Sequence, residues 1–167
     1  VKALSEAGKR IKETYGHNLF KNAKGEQKVL DENAASYTLL GKDGGELIIS
    51  TPSAVTINRI MLQEAVSTHS ERVEKHAVDA WIDGEWKEIT QATNIGYKRI
   101  LRFPDVTSNK FRIRVTQVRY APAISKVAAF YYTARPPQLQ VNADNNGLVS
   151  IGIKPDGFSW HYWKSGD

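Results

Sequence analysis

The sequence contains no cysteine. Disulfides, thiolate metal sites and cysteine nucleophiles are thereby excluded. Both a cytosolic protein and a disulfide-free secreted bacterial protein fit that absence. No apolar run approaches the ~18–20 residues that carry a helix across a membrane, so no membrane insertion is expected. No secretory leader is visible, because Val1 opens a charged, amphipathic segment. A start without Met is what an excised fragment would show. The nucleophile, phosphate, zinc and dinucleotide motifs G-x-S-x-G, the P-loop, H-E-x-x-H and G-x-G-x-x-G are all missing. His17, His69, His76 and His161 are scattered. The nearest pair, His69 and His76, is seven residues apart, which on a strand puts the two on opposite faces. No pair of acids is singled out by spacing. The chain is therefore not expected to be an enzyme by itself.

What is present is an ordinary globular composition: 167 residues, 41% hydrophobic and 25% charged, enough for one core and a small extra piece. The formal charge is +5, and seven basic residues lie between Lys98 and Arg119 against the single acid Asp105. Such a zone suits an anionic polymer, either a heparin-like glycan or nucleic acid. A solvated sheet face is the more common explanation, and the outward stripe Lys110, Arg112 and Arg114 reads as one.

Residues 1–15 place Val1, Leu4, Ile11 and Tyr15 on one helical stripe, with Gly16 as the stop. From there the pattern is that of strands. "GELIIS" (45–50) is short and apolar, and "VTINRIMLQE" (55–64) sets Ile60 and Leu62 against Arg59 and Gln63. "HAVDAWIDGEWKEI" (76–89) is two strands around Asp83-Gly84, a hairpin signal. "RILRF" is expected to end at Pro104, with "DVTSN" as a turn. "KFRIRVTQV" (110–118) alternates Phe111, Ile113 and Val115 inward with Lys110, Arg112 and Arg114 outward. "ISKVAAFYY" (124–132) is a further strand. Repeated strands with turns between them predict an all-β antiparallel sandwich. Residues 133–141 read as a proline-stiffened linker. "LVSIGI" then reads as a strand, followed by a turn and an aromatic-rich run.

The motifs "NRIMLQE", "ERVEKHAVDAWIDGEWKEI", "IGYKRILRFP" and "KFRIRV", followed by "APAISKVAAFYY", occur in that order. Together they resemble the coagulation factor V/VIII type C (discoidin-like) domain that follows the catalytic barrel in bacterial alpha-L-fucosidases of glycoside hydrolase family 29. That domain is similar to family 32 carbohydrate-binding modules. The resemblance covers residues 17–132. Residues 1–16 resemble the helix joining barrel to sandwich, and 133–167 the start of a fibronectin-III-like or chitobiase-C-terminal-like module.

The resemblance implies a discoidin-like jelly-roll β-sandwich of about eight antiparallel strands with an N-terminal linker helix. It implies a secreted or periplasmic bacterial setting, and a catalytic domain of the parent enzyme as partner. It further implies a non-catalytic role, either binding a galactose- or fucose-containing glycan or bracing the barrel. Family members often hold a structural calcium in an early loop, here "LDENAASY" (30–37), where Asp31, Asn33 and Ser36 offer oxygens. Lys126 stands where a glutamate is usual and counts against it, and no other cofactor is expected. Tyr37 stands at or beside a common tryptophan position.

Sugar sites combine an aromatic platform with groups that hydrogen-bond hydroxyl pairs. The glycan candidates are Tyr37, then Glu64, His69 and Arg72 around the loop "EAVSTHSER", then Asn94 and Tyr97 in "ATNIGY". Each has a plainer reading. His69 suits a surface loop, Arg72 suits a partner for Glu64 or Glu71, and Tyr97 suits a cover for the core edge. Trp81 and Trp86 read as packing residues. Nucleic acid is not expected, since no single-strand-binding aromatic motif is present.

Overall fold

The computed structural model describes residues 2–133, 138–143, 149–154 and 158–162, with side chains for 4–133. The chain separates into two compact units, Ile11–Tyr132 and Val1–Arg10 with Thr133–Asp167. Helix α1 runs Lys2–Tyr15, and the Gly16 amide closes its last turn on the Lys12 carbonyl at 2.9 Å. The strands that follow are β1 (Thr38–Leu39), β2 (Gly45–Glu64), β3 (Val73–Ile82), β4 (Glu85–Ala92), β5 (Arg99–Val118) and β6 (Ala123–Phe130). A one-turn helix, α2, spans Val66–His69. The strands form a single antiparallel sheet in the order β1-β6-β2-β5-β3-β4. The expectation of an all-β antiparallel fold is met.

The local signals explain the pairing. Asp83 and Gly84 both take positive φ, 53° and 81°, the requirement of a type I′ turn between twisted strands. β3 and β4 therefore pair from Ile82↔Glu85 back to His76↔Ala92. In β5, Phe111, Ile113 and Val115 are buried as the alternation requires.

Two expectations are corrected. Residues 45–50 and 55–64 are one 20-residue strand, as are 99–118. Pro104 does not end its strand. There β5 pairs with β2 alone, so a missing N–H faces no neighbour, and a register shift between Ile57 and Arg59 absorbs it. The second long-strand break lies between Ser50 and Val55, where Thr51 to Ala54 oppose Asn109 alone. Ser108 pins that corner by donating to the Trp81 carbonyl at 2.7 Å and accepting from the Lys110 amide at 3.1 Å.

Across these breaks β2 and β5 stay paired with each other, and each gains or loses its second neighbour. The first half of β2 lies beside the β5–β3–β4 side, and its second half pairs with β6. One sheet thus turns a corner and folds over itself, as strands do when they pass between layers through bulges. Counting each long strand twice turns six strands into eight segments. Residues of both halves meet in one core that includes Leu47, Ile49, Ile60, Leu62, Phe111 and Val127. On the outer face of β2 and β6, Met61, Ala128 and Phe130 form a second cluster with Tyr15. The Tyr15 and Phe130 rings meet edge-on at 5.0 Å, so Tyr15 is a packing residue and not part of an open stripe.

The other unit includes a three-stranded antiparallel sheet of β7 (Gln138–Ala143), β8 (Val149–Lys154) and β9 (Phe158–Tyr162). Gln138–Ala143 is a strand and not the end of a linker. The proline pair of the expected linker and Trp163 lie outside the described residues.

Candidate functional site

Four loops meet at one end of the folded sheet: 31–37, 65–72, 93–98 and 119–122. Backbone bonds stitch them together. The Ala65 amide donates to Ala123, Arg119 to Arg72, Leu40 to Pro122 and Glu64 to Gly96, each at 2.9 Å.

Glu64 is the clamp of this end. It is 3% exposed, at the last position of β2. One carboxylate oxygen accepts from the Arg72 and Val73 amides at 2.8 and 3.0 Å, and the other accepts from the Gly96 amide at 2.8 Å. A carboxylate spent on three backbone donors is a structural anchor. Gly96 takes φ 67°, and a Cβ there would come within 3.1 Å of the Glu71 carboxylate, so the loop needs glycine at this point. Arg72 does not form an ion pair with Glu64 or Glu71. Its guanidinium donates to the Ala121 carbonyl at 2.7 Å.

Above the clamp lies a cleft of about 480 Å³, lined among others by Tyr37, Gln63, Tyr97, Ser125, Lys126 and Asn33. Tyr37 packs against His69 with ring centroids 4.4 Å apart and planes tilted by 57°, and Thr68 Oγ bonds His69 Nδ1 at 2.8 Å. His69 thus supports the Tyr37 wall. Tyr97, 73% exposed, stands at the rim beside buried Ile95 and Gly96. Asn94 lies on the other side of the same loop, in a shallower depression with Glu71, Glu74 and Arg119. Arg99 donates to both its side-chain and backbone oxygens, at 3.1 and 2.9 Å. The structure therefore brings Tyr37, Glu64 and Tyr97 to one cleft, with His69 behind it, and places Arg72 and Asn94 away from it.

The early loop is folded on itself. Asp31 accepts from the Asn33 amide at 2.9 Å, and Asn33 accepts from the Ala35 amide at 3.0 Å. The Asn33 amide and then the Ser36 hydroxyl hold the Asp31 carboxylate below its usual range. Calcium takes roughly six to eight oxygens. Asp31, Asn33 and Ser36 supply one carboxylate; Asp31 and Asn33 each turn an oxygen on a loop amide, Ser36 donates to Asp31, and Lys126 lines the cleft with Asn33. That donor set does not fit a calcium site. Among the described residues no group of three or more His, Asp or Glu is placed to hold a metal.

His76, fully buried in β3, fixes the start of the 93–98 loop: its Nδ1–H donates to the Thr93 carbonyl at 2.6 Å. Burial, reinforced by the Arg99 charge, pushes its pKa down against that hydrogen bond, so the ring is neutral at pH 7. Its Nε2 has no partner among the described residues.

The basic stripe is not a solvated face. Arg112 and Arg114 both bond the buried Asp79 carboxylate, at 2.7 and 2.6 Å, and Arg114 also holds Glu88 at 2.7 Å. Arg112 lies 4.6 Å from the Trp86 ring centre, Lys110 covers Trp81 at 5.2 Å, and Arg119 pairs with Glu74 at 2.9 Å. Sequence reasoning did not foresee Asp79, because the acid sits on β3, a strand away from the cations. It also did not single out Gln63, Ser125 or the exposed Tyr120.

No protein-family profile matches this chain. Over 104 residues it is 32% identical to "Putative alpha-L-fucosidase 1" of Oryza sativa subsp. japonica, which accounts for 61% of this chain and 20% of that protein. The chain thus spans about a fifth of the curated relative it matches. Among solved structures, a "putative alpha-L-fucosidase" from Bacteroides ovatus is 29% identical with a TM-score of 0.67, covering 89% of this chain and 26% of that one. SpGH29 is 23% identical with a TM-score of 0.75, covering 80% and 32%. Chitosan-binding module 1 of a Paenibacillus sp. IK-5 chitosanase/glucanase is 16% identical with a TM-score of 0.57, covering 68% of this chain and 98% of the module. The chain is therefore similar, in sequence and fold, to a limited part of proteins named as alpha-L-fucosidases, and in fold alone to a whole chitosan-binding module.

Proposed function

We propose that this chain is a discoidin-like, non-catalytic part of an alpha-L-fucosidase-type glycoside hydrolase, and that its loop end binds glycan. It would act in a secreted or periplasmic setting beside the catalytic domain of its parent. The observation that carries the reading is Tyr97, 73% exposed on a clamped loop at the mouth of the cleft. A preformed aromatic ring next to convergent polar groups is what a sugar face and its hydroxyls require. The similarity to fucosidases over only a fraction of their length supports the ancillary role.

Titration calorimetry with fucose- and galactose-containing glycans tests this. Binding in the millimolar range or tighter is expected. Tyr97→Ala should weaken it about tenfold, equivalent to ~1.4 kcal/mol, with the melting temperature unchanged. Absence of binding at about millimolar glycan sinks the reading, and hydrolysis of an aryl fucoside by this chain alone sinks its non-catalytic part. An anionic-polymer reading is not favoured, because Arg112 and Arg114 in the middle of the zone are already spent on Asp79 and Glu88.

Bracing is a second role, supported by Leu4 and Ile11, 55% and 47% exposed on α1. Leu4→Ser with Ile11→Ser is expected to leave the isolated chain's unfolding midpoint unchanged and to lower that of the full-length parent. An unchanged parent would remove this role.

A further inference from the structure

We infer, resting on the glycan reading, that the loop end holds two adjoining subsites divided by loop 93–98, and that its ligand is an oligosaccharide lying across that loop. The loop alternates in a telling way. Ile95 and Gly96 are buried, whereas Asn94 and Tyr97 on either side of them are exposed. Tyr97 lines the large cleft; Thr93 and Asn94 line a second depression of about 350 Å³. The loop is thus a shared wall with one polar or aromatic side chain presented to each side.

The wall is fixed along its length. His76 holds the Thr93 carbonyl at 2.6 Å, Arg99 the Asn94 carbonyl at 2.9 Å, and Glu64 the Gly96 amide at 2.8 Å. A preformed partition orders little on binding, which favours affinity.

The two sides carry different chemistry suited to neighbouring sugars. The cleft offers a ring surface at Tyr97 with Gln63 and Lys126 as donors. The depression offers the Glu71 carboxylate, engaged in no ion pair among the described residues, and Arg119, whose Nε is held by Glu74 at 2.9 Å while its side chain is 71% exposed. An acceptor beside an oriented guanidinium suits a vicinal hydroxyl pair. Asn94 and Tyr97 are three residues apart, so at most about 11 Å of backbone separates them. A short oligosaccharide spans a separation of that size. Occupying both subsites through one chain raises affinity without either contact improving.

The experiment is a length ladder by calorimetry on the intact chain: L-fucose, D-galactose, 2′-fucosyllactose and a fucosylated pentasaccharide. It is repeated on Glu71→Ala and Arg119→Ala, two exposed positions outside the Tyr97 cleft. The expected result is an affinity at least about tenfold higher for the longest ligand, lost in either variant, with monosaccharide binding unchanged. Affinity that does not grow with length, or that survives both substitutions, overturns the two-subsite inference and leaves the glycan reading standing. No binding by any member of the ladder overturns both.

Discussion

Asp79→Ala is expected to lower the stability of the sandwich by about 3 kcal/mol, the low end for breaking a buried ion pair. The carboxylate is 2% exposed, and the two guanidiniums it serves are only 20% and 26% exposed. Without Asp79, Arg112 and Arg114 stand side by side on β5 with like charges and a half-buried position. The low end applies because both retain partial solvent contact and a second acid each, Glu46 and Glu88. Urea denaturation checks the size of the loss, and a change under about 1 kcal/mol would reduce the network to a surface ornament.

The same carboxylate makes the fold acid-sensitive. Burial raises the Asp79 pKa, but the Arg114 and Arg112 bonds outweigh it and hold the group below its ordinary range. The contribution is complete above the unfolded carboxylate value of about 4. It disappears as the pH falls through the lowered folded value. In the alanine variant this part of the acid transition should be absent.

Glu64→Ala is expected to be comparably costly, about 2–4 kcal/mol, for a different reason. No charge is stranded; three backbone donors are. Each unsatisfied buried donor costs about 1–3 kcal/mol, relieved in part by water entering the cleft. Glu64→Gln separates the oxygens. One retained oxygen still accepts from Arg72 and Val73, while the new amide faces the Gly96 N–H donor to donor. Its loss should therefore be smaller, about 1–2 kcal/mol. Hydrogen exchange gives the site-specific check: fast exchange at Gly96 in both variants, but at Arg72 and Val73 only in the alanine variant. Exchange unchanged at all three amides in the alanine variant would mean that Glu64 is not their clamp.

These two residues also mark where sequence reading stops. Strand alternation, the Asp83-Gly84 turn and the buried faces of residues 55–64 and 110–118 were legible, because period and turn chemistry act within a few residues. The continuation of β5 through Pro104 was not, because it depends on that half of the strand lacking a second neighbour. The basic stripe was misread as solvated for the same reason: its counter-charges come from β2, β3 and β4. In the site, Tyr37, Glu64 and Tyr97 were chosen by residue type and loop position, and the structure gathers them in one cleft. Whether an acid faces a sugar or a backbone amide is decided by loop closure, which no local spacing records. The oxygens of Asp31 and Asn33 show the limit again, since their turn uses them before any ion can.

Strands β2 and β5 each belong to both halves of the folded sheet. Peeling one layer away would mean tearing the very strands that hold the other, so the two layers form one cooperative unit. Their long-range pairings must also be made together, from Gly45↔Val115 at one extreme to Leu62↔Arg99 at the other. The unit Ile11–Tyr132 is thus bound to the slow, all-or-none folding of high contact order, and the loop end cannot loosen without disturbing both layers of the folded sheet beneath it.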